Sequence, residues 1–391
     1  MGGKAGQKWI EIDLDAIEHN LQSVQAKLTD QVTLIAVIKA DAYGHGAVES
    51  ARVLEQAGVR FFAVSFGEEA FALRQGGIQS PILVFSPVID KESLIEAIEL
   101  EIRLTIASEY DWQCFKQVEQ GLSKTPYFHL KLDTGLGRFG LQTNEAYALL
   151  QDMTVDRQVI VEGVYTHMAH AASSPAYTEK QYTHFLQFIE QLDRQGIQIP
   201  LKHCANSAVV LKYPHMYLDA VRVGTLLSGQ QPVGHFSEQL SLKDPYAFKC
   251  KIISLKSLPK GSFLGYYRTY RLKKEAKIAV IPVGFYDGLV LEVGNRPSGF
   301  IDMLKMMARI FLGYLNVSRF TPQVTYKGKN YPIRGKVFMQ LALVEFPADL
   351  PVEVGEELAL PVRKTLAAHE IERVYVRNGK QIQMNQVKEQ G

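Results

Sequence analysis

The chain has 391 residues, 47% of them hydrophobic and 21% charged, and a formal net charge of +2. That length suits two domains, and the near-neutral charge removes any general electrostatic case for nucleic acid or an anionic membrane as partner. Cys114, Cys204 and Cys250 are far apart and form no Cys-x-x-Cys pair, which speaks against disulfides and zinc clusters and for a reducing, cytoplasmic compartment.

The opening MGGKAGQKW has no apolar core, so no secretory signal is predicted, and Gly6 breaks the myristoylation pattern. No run reaches the roughly 20 apolar residues of a membrane span. Lys8–Asp13 alternates apolar and polar residues and reads as a strand. Leu14–Leu28 then reads as an amphipathic helix. Eight short apolar runs follow: Val32–Ile38, Phe61–Phe66, Pro81–Phe85, Ile102–Ile106, Tyr127–Leu132, Val159–Tyr165, Leu201–Cys204 and Ala220–Gly224. Each is continuous rather than alternating, as expected of parallel strands buried on both faces. Helical patterns connect them at Val48–Glu55, Glu68–Leu73, Ser93–Leu100, Tyr110–Val118, Asn144–Met153 and Tyr182–Leu192. Eight such units predict a TIM barrel of the α/β class over residues 10–238. A doubly wound open sheet is the alternative, but no Gly-rich dinucleotide loop follows the first run.

The pattern changes after residue 238. Lys249–Leu258, Ala276–Val283, Gln323–Tyr326, Tyr331–Phe338, Leu341–Phe346 and Glu357–Leu360 read as strands without long helices between them, predicting a mainly β domain over 239–391 with residues 1–9 attached to it. An insertion, Glu292–Phe320, holds a helix over Ile301–Tyr314 with a broad apolar set and Lys305 and Arg309 on the other side. Such a helix is expected to be buried, either at a subunit seam or active-site entrance or as a lid on its own domain. The polar tail Gln381–Gly391 is expected to fray.

In a TIM barrel the active site lies at the carboxyl ends of the strands, and reactive residues collect there. The first strand ends at Lys39, in AVIKADAYGHG. The fifth ends in Lys131, Asp133 and Arg138, in HLKLDTGLGRFG. The sixth ends in Thr166 and His167, in VYTHMAHA. The seventh carries His203, Asn206 and Ser207, in HCANSAVV, and the eighth Arg222, Gly224 and Thr225, in VRVGTLLSG. A lysine at the rim of a buried strand is partly desolvated, which makes its amine a nucleophile. Backbone N–H groups near Gly224 and at the helix beginning near Asn206 suit an anion.

AVIKADAYGHG resembles the cofactor-attachment motif of the alanine racemase family, and the other four segments resemble further motifs of that family in the same order. The resemblance implies pyridoxal 5'-phosphate as cofactor, with Lys39 as its attachment point and no metal. It implies that Tyr43, Ser207, Gly224 and Thr225 contact the phosphate, with Asn206 beside them. His167 would pack near the cofactor ring, and Arg138 would lie near its phenolic oxygen and the substrate carboxylate. Lys131 matches a lysine that can be carbamylated and then orients that arginine. Arg222 would face the pyridine nitrogen, with His203 as its partner. An always-charged donor there disfavours protonation of the ring, which favours return of the proton to Cα over transamination.

Racemisation needs a base on each face of the reacting carbon. FLGYYRTY, residues 263–270, resembles the family's second-base motif and aligns Tyr266 with the catalytic tyrosine, although Tyr267 stands where the family has glycine. In the family this tyrosine reaches the other subunit's site, which implies a homodimer. Met339, in GKVFMQ, is implied near the substrate. Phe285 and Gln340 depart from a tyrosine and an acidic residue of the family, and the shortened ending lacks its extra phosphate-binding tyrosine. The implied reaction is the interconversion of L- and D-alanine for D-alanine supply. Racemisation of another amino acid such as serine, or a cofactor-binding paralogue without racemase activity, are the alternatives. A basic-amino-acid decarboxylase would need a Gly-rich phosphate loop, and a non-catalytic carrier would be a bare barrel.

Overall fold

The computed structural model describes residues 6–156, 158–234, 236, 239–292, 294, 297, 299–315, 317 and 320–382. The expected boundary residue 238 and the tail beyond Ile382 lie outside them. Contacts divide the chain into two units, residues 14–245 and residues 1–13 with 246–391. These limits fall a few residues from the expected 10 and 238. The strand β1 (Lys8–Asp13) pairs only with strands of the second unit. The segment up to Pro245 stays with the first unit, where the Asn20 side chain exchanges 2.8 Å hydrogen bonds with the backbone N–H and carbonyl of Lys243.

The first unit opens with α1 (Leu14–Gln25), followed by β2 (Thr33–Val37), α2 (Lys39–Gly44) and α3 (Ala47–Gln56). Next come β3 (Phe62–Val64), α4 (Gly67–Gln75), β4 (Ile82–Val84), α5 (Lys91–Glu99), β5 (Arg103–Ile106) and α6 (Glu109–Lys116). The unit continues through β6 (Tyr127–Lys131), α7 (Thr143–Val155), β7 (Ile160–Tyr165), α8 (Pro175–Arg194), β8 (Leu201–His203), α9 (Ser207–Lys212) and β9 (Ala220–Val223). The eight strands β2 to β9 are parallel and in one sheet, in the order β8-β7-β6-β5-β4-β3-β2-β9. A bridge between Ala205 and Val221 joins the two ends of that order and closes the barrel. Every predicted strand is present. The cores of β2 to β6 and of β9 are buried on both faces, as continuous apolar runs require, whereas β7 is buried only in its second half and β8 only at His203. α8 begins seven residues earlier than its apolar period indicates, because Pro175 in the first turn fits a helix start.

The second unit is mainly β. Its strands after β1 are β10 (Tyr246–Lys251), β11 (Ser254–Leu258), β12 (Phe263–Leu264), β13 (Tyr270–Arg271), β14 (Ala276–Ile281), β15 (Gln323–Tyr326), β16 (Lys329–Pro332), β17 (Ala342–Pro347), β18 (Glu357–Leu360), β19 (Arg373–Arg377) and β20 (Lys380–Gln381). Seven of them form the sheet β16-β15-β18-β10-β1-β19-β20, three the sheet β11-β14-β17, and two the hairpin β12-β13. The expected strand Lys249–Leu258 is two strands in different sheets, because the apolar pattern runs through the point where the pairing partner changes from β1 to β14. The strand read at Tyr331–Phe338 contracts to β16, with a lone bridge at Ile333 beyond it. The inserted helix, α10 (Phe300–Tyr314), is present and buries none of its residues. Among the described residues nothing covers it, so the burial that its apolar set predicts, at a seam or entrance or as a lid, is not met there.

Candidate active site

The carboxyl ends of the barrel strands surround a cavity of about 290 Å³. Of the barrel residues singled out in the sequence, Lys39, Tyr43, Lys131, Arg138, His167, Asn206, Ser207, Arg222, Gly224 and Thr225 line its wall, whereas Asp133, Thr166 and His203 do not.

Lys39 follows β2 after Ile38, and the chain beyond it winds in the wrong hand. Ala40, Asp41, Ala42 and Tyr43 have φ of 50°, 55°, 52° and 58°, a left-handed turn that costs L-residues roughly 1–2 kcal/mol each. Local ties hold it. Ala40 N–H donates to Glu69 Oε1 at 2.5 Å, Ala42 N–H to the Ile38 carbonyl at 2.8 Å, and Ala47 N–H to Asp41 Oδ1 at 2.7 Å. Lys39 and Tyr43, at the two ends of the turn, both face the cavity. Burial, reinforced by Arg138 and opposed by Glu69, lowers the pKa of Lys39. Its amine is thus more readily available as a nucleophile than that of an exposed lysine.

At one corner Gly224 N–H donates to Ser207 Oγ at 3.4 Å. A Cβ on Gly224 would stand 2.3 Å from the Tyr43 hydroxyl, so only glycine lets the tyrosine lie against the backbone there. Burial, with Glu69 nearby, pushes the Tyr43 pKa up to about 12, and its hydroxyl keeps its proton. Asn206 acts differently from expectation. Its Oδ1 accepts from Ala208 N–H at 3.1 Å and Val209 N–H at 3.2 Å, so the opening N–H groups of α9 are occupied by its cap. The hydroxyls of Tyr43, Ser207 and Thr225 stand at this corner as donors for an anion, beside a Gly224 N–H that meets Ser207 Oγ.

Lys39, Lys131, Arg138 and Arg222 line the cavity, with no carboxylate lining it among the described residues. Lys131 is buried over the rings of Phe139 and Tyr165, at 5.0 and 5.6 Å. Burial, then the charges of Arg138 and Arg222, bring its pKa down to about 7. Asp133 turns to the N–H groups of Gly135, Leu136 and Gly137, at 2.9, 2.9 and 3.0 Å. Burial and the same cations bring the pKa of His167 down to about 3, so its imidazole is neutral.

Arg222 lies in the barrel wall. Nη1 donates to His203 Nδ1 at 2.6 Å and to the His203 carbonyl at 3.0 Å; Nη2 donates to the carbonyls of Thr166 and Cys204 at 2.7 and 3.3 Å. His203 is thus the partner of Arg222 that the sequence indicated. With both terminal nitrogens engaged on the wall, Nε–H remains for a ligand.

Tyr266 and Met339 belong to the second unit. Tyr266 follows β12 with its side chain 66% exposed, edge-on to Phe338 at 5.1 Å. Tyr267, where the resemblance expects glycine, has φ 61°, so its backbone keeps the conformation a glycine adopts freely. Met339 and Phe285 are exposed, and the Met339 carbonyl accepts from Tyr286 N–H at 2.9 Å.

Sequence reasoning missed Glu69 and Tyr165. Glu69 accepts from the N–H groups of Ala40, Ser65 and Phe66 and so fixes the start of the left-handed turn. Its only signal is an acidic residue in the first turn of a helix after a strand. Tyr165 lines the cavity and stacks on His203. Its signal is its place two residues before His167, which puts it on the same strand face.

A family model described as "Alanine racemase, N-terminal domain" matches residues 12–232, and one described as "Alanine racemase, C-terminal domain" matches residues 246–383. "Alanine racemase 1" of Oceanobacillus iheyensis is 38% identical over 291 residues, 73% of this chain and 77% of that protein. "Alanine racemase 1" of Caldanaerobacter subterraneus subsp. tengcongensis is 33% identical over 356 residues, 90% of this chain and 84% of that protein. Among solved structures, an alanine racemase of Clostridium difficile superposes with a TM-score of 0.86 at 29% identity, covering 98% of this chain and 99% of that one.

Proposed function

The chain belongs to the alanine racemase family and is an amino-acid racemase; on that premise we propose that it interconverts L- and D-alanine in the barrel cavity, with pyridoxal 5'-phosphate attached at Lys39. The observation that carries this reading is the cavity wall itself: a desolvated lysine, a cluster of uncharged donors at one corner, and cations with no lining carboxylate among the described residues. A phosphorylated aldehyde and a carboxylate substrate complement such a wall. The flat approach of Tyr43 to Gly224 is the fit expected of a phosphate cradle, because a side chain at 224 would fill it.

Bound there, the cofactor would withdraw electrons from the substrate and acidify its Cα–H. The remaining work falls to the chain. Tyr43, Ser207, Gly224 and Thr225 hold the phosphate, with Asn206 fixing the turn beside them. Arg138, aided by Lys131, meets the substrate carboxylate, and Met339 bounds the substrate. His167 packs near the ring. Arg222 keeps a proton off the pyridine nitrogen, so the Cα proton is returned rather than diverted to transamination. Lys39 Nζ moves that proton on one face. On the other face, the phenol oxygen of Tyr266 of the partner subunit does so. Two-fold pairing of subunits, with each site shared, follows from that assignment.

The two units act as a barrel domain and a β domain. Among the described residues no helix is long and apolar enough to cross a membrane. The three cysteines, all buried and free, support a reducing cytoplasmic setting. The test is to load purified protein with pyridoxal phosphate and follow L-alanine by circular dichroism. Decay of the signal to zero, as the enantiomers equalise, is expected. A constant signal in protein that binds the cofactor overturns the reading.

A further inference from the structure

Arg222 is 3% exposed, and each group hydrogen-bonded to its terminal nitrogens is an uncharged imidazole or carbonyl. A buried cation needs compensation, and here the nearest hydrogen-bonded carboxylate is remote. Arginine only donates, so His203 Nδ1 accepts from it and the His203 proton sits on Nε2. His203 Nε2 is 3.0 Å from His129 Nδ1. His129 therefore accepts there and carries its own proton on Nε2, which faces Glu162 Oε2 at 2.9 Å. Glu162 is in turn flanked by Arg103, at 3.3 and 3.4 Å. This one ordering of protons satisfies every pair, and each bond points from Arg222 toward Glu162.

The barrel is shaped around the thread. Both imidazoles are fully buried, and Tyr165 stacks on His203 at 5.0 Å with the rings 2° apart. The pairing of β6 with β7 shifts register between Phe128 and His129, which re-aims the histidine. Opposite it, a Cβ on Gly163 would stand 2.4 Å from His129 Nδ1. Burial, with Arg222 beside it, keeps His203 neutral, and burial outweighs Glu162 in lowering the His129 pKa.

We propose that Glu162 and His129 are positioning residues for the racemase reaction: acting through His203, they orient Arg222 and supply its counter-charge from the far end of a two-imidazole relay. The functional half of this rests on the reading that Arg222 faces the pyridine nitrogen. Aligned hydrogen bonds polarise one another, so the charge on Glu162 strengthens the acceptor that Arg222 meets. With that charge gone, Arg222 is held less firmly, protects the nitrogen less well, and more turnovers end in transamination.

Cofactor-free protein labelled with 15N at histidine tests the relay directly. His129 and His203 should both appear as neutral Nε2–H tautomers at neutral pH. An Nδ1–H tautomer or a protonated ring at either position overturns the proposal without any variant. Glu162→Gln then removes the charge at nearly constant shape. The His203 Nδ1 resonance should move, and the transaminated fraction of turnovers should rise about tenfold, the scale of one charge-assisted hydrogen bond. Glu162→Asp should recover part of that change. Arg222→Glu separates the two readings. If it raises transamination and Glu162→Gln leaves the fraction at its native value, the relay has no role in the reaction and the proposal falls. If Arg222→Glu itself leaves the fraction unchanged, the assignment of Arg222 to the pyridine nitrogen fails instead, while the tautomers still judge the relay.

Discussion

The Tyr43 hydroxyl occupies the space that a side chain on Gly224 would need: a Cβ there would lie 2.3 Å from the oxygen. Gly224→Ala should therefore displace Tyr43 and weaken cofactor binding. Loss of one hydrogen bond to a charged group predicts about a tenfold to hundredfold rise in the dissociation constant. Fluorescence titration of cofactor-free protein with pyridoxal phosphate measures it, and Tyr43→Phe should give a similar rise. An unchanged affinity in both variants would remove Tyr43 from the phosphate site.

Lys39 should be the attachment point. Borohydride reduction of the loaded protein should fix the cofactor on the peptide containing Lys39, and mass spectrometry reads the position. Lys39→Ala should lose the adduct and slow racemisation by about a thousandfold or more. A reduced adduct on a different lysine would sink the site assignment.

Shared active sites make a mixing experiment decisive. Lys39→Ala and Tyr266→Phe subunits should each be nearly inactive alone. In a mixed dimer with crossed sites, both defects fall in one site and the other is whole, so partial activity should return. No recovery in verified mixed dimers would place the two residues in the same subunit's site or remove Tyr266 from the reaction.

Tyr267 holds φ 61° with a bulky side chain. Such a conformation costs on the order of 1–3 kcal/mol, and glycine would relieve it at an entropic cost of about 0.5–1 kcal/mol. Tyr267→Gly should raise stability by roughly 1 kcal/mol in chemical denaturation, less a small loss from the Lys336 ammonium 4.7 Å above the Tyr267 ring. A clear loss of stability would show that the ring contact outweighs the backbone.

Acid should destabilise the cofactor-free protein early. His129, His167 and His203 all have pKa values lowered from the usual 6.5, chiefly by burial. As pH falls through 6.5 the unfolded chain takes up protons that the folded chain refuses, so stability falls with pH, by roughly 1.4 kcal/mol per unit for each such histidine. For His167 this window closes near pH 3, where its folded form also titrates. Glu162, whose pKa is lowered by His129 and Arg103 against the effect of burial, adds to the loss only below about 4.5. Denaturation midpoints at pH 7.5 and 5.5 should differ clearly; equal midpoints would mean that these rings are protonated in the fold.

The barrel was legible because its strands are continuous apolar runs, and the site was legible because reactive residues stand where those runs end. His203 was named as the partner of Arg222 through the family resemblance, and their hydrogen bonds bear that pairing out. The β domain was less legible. The apolar pattern of Lys249–Leu258 gives no sign of the change of partner between β10 and β11. β12 and β13 are two residues each, too little for a period to show. The left-handed turn was not legible at all, since Ala-Asp-Ala-Tyr has no glycine to announce it. Asn206 was read for its place near an anion site, but its side chain serves the helix it begins.

The turn after Lys39 also sets an order of events in folding. Four left-handed L-residues together cost about 4–8 kcal/mol, comparable with the net stability of a whole domain. A chain without its barrel cannot maintain that shape, because the carboxylate that grips Ala40 N–H comes from α4, beyond the next strand. The cradle for the cofactor is therefore among the last parts to take form. Pyridoxal phosphate meets a finished barrel and cannot template one, so apoprotein should reach its native topology unaided and gain only added stability on loading.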